Sequence, residues 1–155
     1  MMIAIASDDQ GFLYKREMKR YLRPTGFDVS DMGCVEKTSK PFEEDVLKVA
    51  EALNSGAANR GILISETGIG MSIIANKLPG IRAALCFDER AAKQAVQDYD
   101  ANVLVLAAGQ TDKKRAVEIM LTFLSTENNA DSPSVMIESL DDIATSQLLT
   151  GEKTC

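Results

Sequence analysis

A chain of 155 residues with a net charge of −6 suits one domain with one core, and is a poor electrostatic match for nucleic acid or an anionic membrane. Histidine is absent, which excludes Ser-His-Asp triads, Cys-His pairs and His-ligated metals. Three widely spaced cysteines (Cys34, Cys86 and Cys155) argue against a disulfide scaffold or a zinc site, and make a reducing cytoplasm the expected location.

The start, MMIAIASDDQ, is too short and too early-acidic for a signal peptide, and residues 2–7 read as a buried strand ending in the polar turn SDDQG. Residues 12–23 carry an apolar stripe at Phe12, Leu13, Met18, Tyr21 and Leu22, which predicts a helix stopped by Pro24 and Gly26. A second short strand is expected at 27–31 and a polar loop at 35–40. Pro41 then opens a helix over 42–55, with Val46, Val49, Ala50 and Leu53 on one face. The run RGILI at 60–64 is apolar throughout, as a strand covered on both faces requires. It leads into SETGIGMS and a helix through Lys77, broken by Pro79-Gly80. A fourth strand is expected at 81–86, a helix at 89–99, a fifth strand at 103–107 and a helix at 111–125. After a polar break, 135–149 is amphipathic.

This alternation predicts an α/β protein: a three-layer α/β/α Rossmann-like domain with a five-stranded parallel sheet. Ligands on such sheets sit beyond the carboxyl ends of the strands, so the turns after Ser7, Ser65, Cys86 and Ala107 should lie together. The strongest local signal is Thr67-Gly68-Ile69-Gly70 between a buried strand and a helix. Glycines there let the backbone approach a ligand, and successive N–H groups suit an anion or a developing oxyanion. The spacing is neither a phosphate-binding Gly-Lys-Ser/Thr loop nor a dinucleotide Gly-x-Gly-x-x-Gly, so a nucleotide-binding module is the weaker reading. Taken alone, the loop is equally compatible with a tight strand-to-helix turn.

Longer runs narrow the choice. GILISETGIGMSIIANKLPGIRAALC (61–86), IAIASDDQGF (3–12) and DANVLVLAAG (100–109) resemble the ribose-5-phosphate isomerase B and galactose-6-phosphate isomerase family over about residues 2–125. The resemblance implies an aldose–ketose isomerase that works through a cis-enediolate, without a cofactor. It also implies sites shared between the chains of a homodimer or homotetramer, or of a hetero-oligomer. Residues 1–127 would form the isomerase-like domain, and 128–155 an amphipathic helix and tail that pack on a partner. By the same resemblance the base cysteine's position holds Ser65, the next glycine's Glu66, and the sugar-orienting threonine is Thr67. Gly68, Ile69, Gly70, Met71 and Ser72 form the amide loop, while Asp8 and Asp9 follow the first strand. Asp98 stands where a ring-opening histidine would, followed by Tyr99 and Asp100. The position of an arginine that follows the fifth strand holds Gln110.

These residues alter the expected chemistry. Serine is a poor base without an activating partner, and no histidine is present to supply one. A carboxylate desolvated beside its substrate is a stronger base, which makes Glu66 a candidate, against the plainer reading of a solvent-facing side chain at the loop mouth. Asp8, Asp9, Glu66, Asp98 and Asp100 would crowd one site and repel a phosphate dianion unless Lys113, Lys114 or Arg115 offset them. No metal is expected, although such a cluster of acids is also the donor set of a hard cation. Lys77 and Arg82 match family positions and are equally readable as structural. Cys86 reads as a core thiol, and Tyr14 as a side chain at the rim of the cleft. The alternative to an active isomerase is a non-catalytic subunit that completes a hetero-oligomer.

Overall fold

A computed structural model describes residues 1–33 and 41–129. The expected loop at 35–40 and amphipathic segment at 135–149 lie outside the described residues, as does nearly all of the 128–155 tail. The chain alternates β1 (Met2–Ser7), α1 (Phe12–Leu22), a short 3-10 turn (Arg23–Thr25), β2 (Asp28–Asp31), α2 (Glu43–Asn54), β3 (Arg60–Ser65), α3 (Ile69–Ala75), β4 (Ala83–Leu85), α4 (Glu89–Tyr99), β5 (Val103–Ala107) and α5 (Lys113–Ser125). The five strands form one parallel sheet in the order β2-β1-β3-β5-β4.

Two buried clusters explain why the central strands are apolar on both sides. Ile3, Ile5, Ile62, Ile64, Leu104 and Leu106 face one way, onto α1, α4 and α5. Ala4, Ala6, Leu63, Val103 and Val105 face the other way, onto α2 and α3. Alternate residues of a strand point to opposite faces, so a strand sandwiched between helix layers must be apolar at every position. The small alanines of β1 on the second face leave room for Val46, Val49 and Met71.

The helix limits follow local chemistry. Asp88 and Asp112 are extended N-cap residues whose carboxylates accept from Ala91 N–H at 2.7 Å and Arg115 N–H at 3.0 Å. Residue 111 therefore lies outside α5, which begins at Lys113, two residues later than its apolar pattern suggests. The fourth strand shrinks from the expected 81–86 to three residues, because Arg82 and Asn102 bond one another across its amino end instead of joining the ladder.

At the β2 edge, Lys15 is almost wholly buried, 2% exposed, and its ammonium lies 2.9 Å from Asp31 Oδ1. Lys19 holds Oδ2 of the same carboxylate at 2.6 Å. Burial alone would raise the Asp31 carboxyl, but the hydrogen bonds from Lys19 and Lys15 outweigh it and hold its pKa below the ordinary value.

Candidate active site

Strand order reverses between β1 and β3: the chain leaves β1 toward β2 and leaves β3 toward β4 on the other side. The crevice at the carboxyl ends of these two strands is where a parallel sheet of this kind binds its ligand. Asp8 braces it. Its Oδ1 accepts the Gly11 N–H at 2.8 Å, its Oδ2 accepts the Glu66 N–H at 3.4 Å, and its own N–H donates to Ile64 O at 3.1 Å. Gly11 makes the brace possible, since a Cβ there would collide with the Ile64 carbonyl. Asp9 follows, half-buried.

The loop after β3 is built around Gly68, whose φ of 72° is left-handed and whose missing Cβ leaves the space taken by Leu85. Ser65, 6% exposed, accepts the Gly68 N–H on its Oγ at 2.9 Å. Thr67 is exposed, and its Oγ1 accepts the Ile69 N–H at 3.3 Å. The Ser72 N–H lies within the helix, bonded to Gly68 O at 3.0 Å. The protein itself engages the amides of Gly68, Ile69 and Ser72, and only Gly70 and Met71 carry first-turn N–H groups that helix geometry leaves without a partner. The Met71 side chain belongs to the core, and Phe42 lies against Gly70.

Glu66 is exposed rather than buried in this chain. Its carboxylate rests on Gly109 in the turn after β5, where a Cβ would strike Oε1 and lie 2.8 Å from Cδ. Backbone bonds tie the same turn to the β3 loop: Ala108 N–H to Ser65 O at 2.8 Å, and Gly109 N–H to Glu66 O at 2.9 Å. Tyr14, at the start of α1, donates its hydroxyl to Thr111 O at 2.7 Å. The rim reading of Tyr14 thus gains a definite partner. Burial, then Asp112, then Glu66, raise its phenol pKa, so it remains a neutral donor. The sequence does not single out Gly109 or Thr111, and its one signal for Gly109 is the end of the DANVLVLAAG run.

Asp98, Tyr99 and Asp100 do not join this crevice within one chain. They end α4 and precede β5, at the amino end of the sheet, whereas Ser65 pairs with Ala107 at the carboxyl end. Five residues of β5 separate the two ends, about 13 Å at ~3.3 Å per residue. Within one chain Asp8 and Glu66 lie together, Asp9 follows Asp8, and Asp98 and Asp100 stand at the opposite end of the sheet. Asp100 has a left-handed φ of 48°. Arg82 clamps it, bonding its carbonyl and its Oδ2, each at 2.7 Å. Of the three candidate cations, Lys113 lies over the Tyr14 ring, 5.8 Å from its centre. Lys114 and Arg115 line an outer cleft with Glu89, Asp112 and Glu118. Lys77 is exposed.

Among the described residues no group of three or more Cys, Asp or Glu side chains is placed to hold a metal ion. Cys86 is buried, and desolvation followed by Asp88 pushes its thiol up to about 12, so it is a core residue rather than a nucleophile. No helix among the described residues is long and apolar enough to cross a membrane.

The fold defines a parallel α/β protein whose strand order switches between β1 and β3. The chain belongs to the Ribose/Galactose Isomerase family, which it matches over residues 3–140. Ribose-5-phosphate isomerase B of Clostridium thermocellum superposes with a TM-score of 0.89 at 37% identity, covering 94% of this chain and 99% of that one. The Mycoplasma genitalium ribose-5-phosphate isomerase B with bound ribulose-5-phosphate gives 0.87 at 28% identity, covering 93% and 96%. A 4-deoxy-4-sulfo-D-erythrose isomerase of a Clostridium species is 38% identical over 127 residues, which is 81% of this chain and 80% of that protein.

Proposed function

We propose that the protein is an aldose–ketose isomerase acting on a sugar phosphate, or on a sugar derivative with a less charged tail, through a cis-enediolate. The observation that carries this reading is the loop Thr67–Gly68–Ile69–Gly70–Met71 standing at the switch point, with the Gly70 and Met71 amides taking no intrahelical partner. Glu66 is the proton carrier in this proposal: its carboxylate removes the proton from C2 and returns it to C1, while the hydroxyl proton passes from O2 to O1 across the cis-enediolate. Ser65 is the weaker candidate, because its oxygen is buried and already accepts the Gly68 N–H. Thr67 orients sugar hydroxyls, the amides of Gly70 and Met71 face the enediolate oxygen, and Asp98 of a second chain opens the ring.

The acids at the crevice favour a substrate with less negative charge than a phosphate dianion, with Lys113 the cation available to meet it. The test is deuterium uptake from solvent at C2 across tetrose, pentose and hexose phosphates, their sulfonated analogues and the free sugars. Exchange with one of them is the expected result, and none with any of them would remove the proposal.

The separation of Asp98–Asp100 from the β3 loop favours a site completed by another chain. Exposed Ile69, Ile73, Phe87 and Tyr99 and the open edge of β4 are surface available for such a contact. If the pure chain is inactive but a co-purifying relative restores exchange, the reading becomes that of a subunit in a hetero-oligomer.

A further inference from the structure

The turn after β5 carries Glu66 on its Gly109 face, and that turn is secured at both ends. On one side the Ala108 and Gly109 amides bond the Ser65 and Glu66 carbonyls. On the other, the Tyr14 hydroxyl holds Thr111 O at 2.7 Å, and 97 residues of chain separate the two. Within the turn, the Gln110 and Thr111 amides both return to Ala107 O, at 3.2 and 3.1 Å, so residues 107–111 form one hydrogen-bonded turn. Asp112 and Lys113, the other charged groups around the phenol, belong to the same connection.

We infer that Tyr14 is a positioning residue for Glu66, acting by pinning the 107–111 turn so that Gly109 presents a fixed, side-chain-free platform under the carboxylate. An exposed glutamate on an open loop spreads over several rotamers, and holding a base in one of them is what converts a nearby carboxylate into a working one. The geometry explains why a tyrosine rather than an aliphatic residue stands here: only its hydroxyl reaches the Thr111 carbonyl. It also explains why residue 109 has no side chain. The catalytic consequence rests on the proposed role of Glu66, whereas the positioning itself does not.

The experiment separates the two. In full-length protein labelled with 13C at glutamate carboxyls, the Glu66 line is assigned by its disappearance in Glu66→Gln. Tyr14→Phe and, independently, Gly109→Ala should shift or broaden that line while those of Glu43 and Glu51 on α2 stay in place. A folded Tyr14→Phe protein with an unmoved Glu66 line overturns the inference and leaves the isomerase reading intact. With a substrate that exchanges, Tyr14→Phe should lower kcat about tenfold with KM within about twofold. In a Glu66→Gln background the same change should cost less than about twofold, because a residue acting through Glu66 has nothing left to act on. Equal losses in both backgrounds overturn the positioning role alone. Full activity of Glu66→Gln overturns the role of Glu66 and the catalytic consequence together.

Discussion

At the residue scale, glycines at the loops are fixed by what sits where a Cβ would be. Gly68 combines a left-handed φ with contact on Leu85, so Gly68→Ala should destabilise the chain by roughly 2–4 kcal/mol in denaturant unfolding. The same substitution at Gly56, which is left-handed with nothing within 4 Å, should cost only about 1 kcal/mol. Cys86 offers a chemical contrast. Its thiol, raised to about 12 and buried, should resist alkylation at pH 8 in native protein and react once the chain is unfolded. Fast native labelling at Cys86 would contradict its placement in the core.

At the scale of single elements, caps and clamps decide where helices and strands stop. Asp112→Ala removes the acceptor for the Arg115 N–H and should cost about 1 kcal/mol, with the start of α5 losing hydrogen-exchange protection first. The Arg82–Asp100 clamp fixes the turn between α4 and β5 and closes the short β4. Arg82→Met should cost about 1–2 kcal/mol and loosen that end of the sheet without touching the Ser65–Gly68 loop. The sequence placed Asp100 beside the reacting groups because its neighbours resembled a site motif. In one chain the residue instead serves as the left-handed cap of a helix.

For the whole molecule, the buried Lys15 and its partner Asp31 make stability pH-dependent. The folded Asp31 pKa lies below its unfolded value, so its stabilisation is full above the unfolded value and drains away as pH falls through the folded one. Acid unfolding should therefore begin below about pH 4, and Asp31→Asn should flatten that part of the curve while lowering neutral stability by roughly 3 kcal/mol. A flat acid limb in the parent protein would contradict the ion pair.

A site shared between copies has its own signature. Glu66→Gln and Asp98→Asn proteins, each retaining only a small residual activity alone, should regain about a quarter of parental exchange when unfolded, mixed and refolded, since half the dimers formed then contain one intact site. No recovery would confine the site to one chain.

The parallel sheet, its element order and the loop at its switch point were legible in the sequence. Strands such as RGILI and VLVLA must be buried on both faces, and glycine and proline punctuate the helices between them. Family wording at 61–86 named the class of chemistry in the same way. Two things were decided only by the tertiary structure: where the Glu66 carboxylate comes to rest, and what holds the turn beneath it. Each depends on contacts between residues far apart in the chain, such as Glu66 on Gly109 and Tyr14 on Thr111. Periodicity reports the face on which a side chain lies; it carries no information about what meets that face across the fold.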